Sequence, residues 1–216
     1  MAIDFQRNKI FVEGDADKIF IRDIFKLWYK IELSSIQLNE FVIICDGYSQ
    51  IEKQKDQFKQ TEQGQKREGG KNLVIFDADY VGGEAEHGIE NKRKYLESIK
   101  NDLSIEFEVF LFPDNQKDGT LETILESCIN PKHKGIIDCW YALEECIKSK
   151  GGYTIPADKS KIYVYLECLH GKSRAEKNKI KDQKRDFTLN EDWLIDCNNN
   201  PFLERLKSFF DEHLNN

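Results

Sequence analysis

The side chains most able to do chemistry in this chain are carboxylates, and they gather where apolar runs end. Lys9-Ile10-Phe11-Val12 stops at Glu13-Gly14, Leu73-Val74-Ile75-Phe76 at Asp77-Ala78-Asp79, and Phe107-Glu108-Val109-Phe110-Leu111-Phe112 at Pro113-Asp114. Several acids meeting in one pocket repel strongly, and hard divalent cations with oxygen ligands are the usual compensation. Such ions activate water and neutralise charge on a phosphoryl group in transfer. Asp77 and Asp79 are two apart, so on extended backbone both side chains face the same way. Glu13 and Asp17 are four apart, a gap that a strand-to-helix turn closes. The plainer explanation is that acids after strands form turns and cap helices, which accounts for Asp15, Asp17 and Asp46. What favours a site is the conjunction of an apolar strand, Glu-Gly, a helix, and a later apolar strand ending in Asp-x-Asp.

The elements that must position these acids follow from hydrophobic period. Together with Phe41-Val42-Ile43-Ile44-Cys45, the runs make four short strands of the kind covered on both faces. Phe20, Ile24, Leu27, Trp28 and Ile31 form one helical stripe, and residues 50–70 read as an exposed crossover helix fading at Glu68-Gly69-Gly70. Residues 89–103 make a further helix with Ile89, Tyr95, Leu96, Ile99 and Leu103 inward. Strand–helix alternation of this kind predicts an α/β, Rossmann-like parallel sheet of about four strands flanked by helices. After Gly119, residues 120–130, 138–150, 159–170 and 201–214 look helical, so 7–119 is expected as the α/β core and 120–216 as a helical extension packed on it, together one structural unit.

The segments Phe11-Val12-Glu13-Gly14-Asp15-Ala16-Asp17 and Val74-Ile75-Phe76-Asp77-Ala78-Asp79 resemble the Toprim domain shared by topoisomerases, primases, recombination proteins and overcoming-lysogenization-defect nucleases. Phe112-Pro113-Asp114-Asn115 through Gly119-Thr120-Leu121-Glu122 looks like a segment of a stand-alone, functionally uncharacterised Toprim-like family from bacteria, and the likeness continues through Asp158–Ile162 and Trp193–Asp196. The resemblance implies that Glu13 acts as general acid/base or joins Asp77 and Asp79 in holding Mg²⁺, with Mn²⁺ as a substitute. It places Asp17 where the nuclease branch has a further acid, and matches Asp114 and Glu122 to acidic positions of the small family. The nuclease branch also uses a later lysine near the scissile phosphate, for which Lys159 is the candidate and Lys161 the reserve; a solvated lysine at a helix start is the alternative.

Composition narrows the choice. The 216 residues carry 32 Lys and Arg against 39 Asp and Glu, a net charge of −7, which speaks against a general polyanion binder. Within that balance, Lys172, Arg174, Lys177, Lys179, Lys181, Lys184 and Arg185 form a basic stretch that either contacts nucleic-acid phosphates or is a solvated loop. The six cysteines contain no CxxC, which removes a zinc module, and there is no GxxxxGK[ST], so any ATPase is a separate partner chain. About a hundred mostly helical residues leave too little room for a topoisomerase cleavage domain. No apolar run is long enough to span a membrane, and Met1–Arg7 lacks a secretory signal, so a cytoplasmic protein with reduced thiols is expected.

Three functions compete. The first is a Mg²⁺-dependent nuclease. The second is a non-catalytic module that binds nucleic acid or a partner chain. The third is a haloacid-dehalogenase-like phosphatase, since Phe76-Asp77-Ala78-Asp79-Tyr80-Val81 fits its DxDx[TV] nucleophile motif with Asp77 as phosphoryl acceptor. Against the last, that motif normally ends the first strand of its sheet, and it leaves Glu13-Gly14 unexplained.

Overall fold

The structure, a computed structural model, describes residue 5, residues 7–68 and residues 70–214, and the side chains of all but 63–68. Four strands, β1 (Lys9–Val12), β2 (Val42–Ile44), β3 (Asn72–Asp77) and β4 (Glu108–Phe112), form one sheet in the order β2-β1-β3-β4. Every pairing is parallel, with Phe11 beside Ile43 and Val74, and Ile75 beside Phe110. The protein is an α/β, Rossmann-like fold.

Period-2 alternation explains why the strands read as unbroken apolar runs. Ile10, Val12, Leu73, Ile75, Phe110 and Phe112 face a layer built from α1 (Asp15–Tyr29), α2 (Ser35–Phe41), α5 (Leu121–Ser127), α7 (Asp158–His170) and α9 (Pro201–Leu214). Phe11, Val74, Phe76 and Leu111 face the other layer, where a 3₁₀ turn over Tyr48–Gln54 leads into α3 (Lys55–Glu68), and α4 (Ile89–Leu103) follows β3. Phe11 stacks on Phe58 of α3 at a ring-centroid distance of 3.7 Å. Burying each such side chain contributes about 2 kcal/mol.

The strand and helix expectations hold in outline, with three differences. Residues 35–41 are helical, because Ser34 and Gln37 cap one another reciprocally, so β2 begins only at Val42. The crossover begins as the 3₁₀ turn, and its far end at Gly69 lies outside the described residues. The basic stretch is folded: α8 (Arg174–Lys179) starts at a Ser173 cap and leads to a short 3₁₀ turn over Asp182–Lys184. The longest helix, α6 (Lys134–Lys150), precedes Gly151-Gly152. Trp28 is half-buried rather than central, whereas Trp140 is buried. Trp193 is buried against Tyr165 and Phe187, and its strand-like bridge is to Ile129.

The layer beneath α1 is continuous across residue 119. Ile24 and Phe25 of α1 share one core cluster with Leu121 and Ile124 of α5, Ile162 and Tyr165 of α7, and Leu206 and Phe210 of α9. No described helix is long and apolar enough to cross a membrane.

Candidate active site: a carboxylate pocket at the strand ends

In parallel sheets the carboxyl ends of the strands open onto the ligand crevice. β1 and β3 are neighbours with Val12 beside Ile75, so the residues that follow them emerge together. Glu13 leaves β1, and its Oε1 accepts the Asp77 backbone N–H at 2.9 Å. Asp17, in the first turn of α1, accepts the Gly14 N–H on Oδ2 at 2.8 Å. Asp77 accepts the Leu121 N–H on Oδ1 at 2.8 Å, which brings the first turn of α5, and with it Glu122, over the end of β3.

The electrostatics fit this crowding. Burial pushes the Glu13 carboxyl up to about 7; Asp79 adds to the rise, while Lys92 and the Asp77 and Tyr48 N–H groups oppose it. Asp17 rises to about 8 through burial first and then the charges of Glu13 and Glu122, against the Gly14 N–H and Lys159. Asp77 lies well above the usual carboxylate range through burial and then Asp17, Glu13 and Glu122. The charges of Glu13 and Glu122 thus bear on both Asp17 and Asp77.

Asp79 departs from the expectation that it points with Asp77. Its φ is +58°, a left-handed conformation, and it exchanges two backbone hydrogen bonds with Gly119 (2.9 and 3.1 Å). The chain turns there, so the rule for extended residues two apart does not apply. The Asp79 carboxylate instead lies 2.8 Å from Lys92 Nζ and 3.5 Å from His87 Nε2, close enough to act on Glu13 but turned from Asp77's partners.

Asp114 stands apart. Its Oδ1 accepts the Gln116 and Lys117 N–H groups and its Oδ2 faces Arg205 at 3.9 Å, the arrangement of a turn-forming aspartate. Lys159 is beside the pocket: its Nζ is 2.7 Å from Asp182, and its charge acts on Asp17 and Glu122. Lys161 is paired with Glu126 at 2.7 Å and lies over the Tyr141 ring. Of the basic stretch, Arg185 is buried against Tyr163 and paired with Asp182, and Lys177 pairs with Glu167. Lys172, Arg174, Lys179, Lys181 and Lys184 are exposed. Gln183 bonds Asp15 and Arg22 bonds the Arg185 carbonyl, which fastens this stretch beside the start of α1.

Sequence reasoning missed Lys92, Tyr48, His87 and Asp182. Lys92 had a readable signal: it falls on the inward stripe of α4 with Ile89, Leu96, Ile99 and Leu103, where a charge must find a partner. The cysteines are unremarkable in chemistry but not uniformly interior, with Cys45 and Cys128 buried and Cys139, Cys146 and Cys168 exposed.

As placed, no three His, Cys, Asp or Glu side chains of the described residues stand close enough together to hold a metal ion. The donor chemistry nonetheless fits a hard cation. Glu13, Asp17, Asp77 and Glu122 offer oxygen alone, and Asp17 and Asp77 each commit one oxygen to a backbone N–H, leaving the other available.

Fold and site together define a parallel α/β protein with a cluster of half-buried and buried carboxylates at the carboxyl edge of its sheet. The chain belongs to the family described as "Protein of unknown function (DUF3226)", whose model matches residues 7–211. No curated protein and no solved structure matches it.

Proposed function

We propose that this protein is a Mg²⁺-dependent phosphodiester hydrolase of the Toprim type acting on nucleic acid. The observation that carries the reading is the seating of Glu13 against the end of β3, which joins it to Asp77 with Asp17 and Glu122 in electrostatic contact. When bound, Mg²⁺ supplies charge neutralisation at the phosphate and a more acidic water. Asp17, Asp77 and Glu122 would hold it through oxygens alone. Glu13, whose carboxyl sits at about 7, is suited to take or return a proton near neutrality. Lys159, oriented by Asp182, offers a cation to a phosphate oxygen, and the exposed lysines fastened beside α1 offer further contacts to the backbone of a nucleic acid.

The test is cleavage of single- and double-stranded DNA and RNA with Mg²⁺ or Mn²⁺. Glu13→Ala and Asp77→Asn are expected to lower the rate at least ~100-fold while leaving the melting curve cooperative. Full activity in the double variant removes the hydrolase reading. Metal-dependent nucleic-acid binding without cleavage favours the non-catalytic module.

A further inference from the structure

We infer that Lys92 takes the place of a second cation, so that the pocket binds a single divalent ion on the Glu13–Asp17–Asp77–Glu122 side and Asp79 is withheld from it. This rests on the metal-dependent reading above and specifies its stoichiometry.

Lys92 is fully buried, with its Nζ 2.8 Å from Asp79 Oδ2 and 3.5 Å above the centroid of the Tyr48 ring. A buried ammonium persists only with a counter-charge, and Asp79 is the carboxylate in ion-pair contact with it. The backbone of each partner is anchored. The Lys92 backbone N–H bonds the Gly88 carbonyl at 2.9 Å at the start of α4, and Asp79 is held by both of its bonds to Gly119. Transferring Asp79 to a metal would strand the lysine, and a divalent ion beside Asp79 would sit against the ammonium. His87 Nε2 lies 3.5 Å from the same oxygen. Lys92 also acts on Glu13, so its charge already serves the edge of the pocket where a second ion would lie.

The measurement is Mn²⁺ stoichiometry on the full chain, from the electron paramagnetic resonance signal of free Mn²⁺ during titration and from metal analysis after gel filtration. The native chain is expected to bind one Mn²⁺. Asp79→Asn, judged folded by circular dichroism, is expected to keep one, with affinity within about threefold. Lys92→Met, which frees Asp79, is expected to bind two. Two ions on the native chain, loss of the ion in folded Asp79→Asn, or a single ion on folded Lys92→Met each overturns the inference while leaving the hydrolase reading in place. If Lys92→Met does not fold, the native and Asp79→Asn counts decide. No ion on the native chain overturns the metal-dependent reading itself and the inference with it.

Discussion

Asp17 carries a liability that its neighbours do not remove. Its carboxyl sits near 8 in the folded chain against 3.8 ordinarily, with burial the leading cause. A raised acid favours folding while protonated, so this contribution is complete below about pH 4 and is lost as pH climbs through 8. In chelator, the melting temperature of the native chain is expected to fall between pH 5 and 9, by on the order of 5 °C. Asp17→Asn, which retains an acceptor for the Gly14 N–H, should flatten that slope; equal slopes by calorimetry would refute the assignment. At this scale the sequence showed Glu13, Asp17 and Asp77 because each position is fixed by a strand end or helix start. The parting of Asp79 from Asp77 was hidden, since it depends on one backbone angle that the residue types leave open.

The turn from Pro113 to Gly119 leads from β4 into α5 and is bonded through Gly119 to Asp79, just past β3. Gly119 has φ +149°, and a Cβ there would lie 2.9 Å from both Pro113 Cδ and Thr123 Oγ1. Only glycine meets both demands. Gly119→Ala is expected to destabilise the fold by ~1–3 kcal/mol, a fall of roughly 3–10 °C by thermal denaturation. An unchanged melting temperature would show that α5 yields freely. The longer elements were legible because their apolar periods run over many residues, as in α1 and α4. The seven residues of α2 were not, since Ile36, Leu38 and Phe41 merge with the apolar run of β2, and the cap at Ser34 was the only marker. The basic stretch resembled a solvated loop because its folding depends on partners distant in sequence, Tyr163 and Asp15.

The whole molecule depends on a core that both halves of the chain build. Residues 1–119 alone would expose Ile24, Phe25 and Phe112 where Leu121, Tyr165 and Phe210 now cover them. That fragment is expected to lack cooperative melting and dispersed amide resonances; a sharp transition would show that the α/β half is self-sufficient. The Rossmann-like sheet was readable at this scale, whereas the way the later helices cover one face was not, because helical periods tell which side is apolar but not what it meets. The paired backbone bonds between Asp79 and Gly119 have a further consequence. Asp118 accepts the Ile89 N–H and reaches Val81, so both feet of the segment spanning residues 80–88 are stitched to the same turn. The crest is pinned as well, since the Tyr48 hydroxyl donates to Glu84 and Glu86, so extra residues spliced there would loosen the ring that lies over Lys92 and, through it, the ion pair to Asp79.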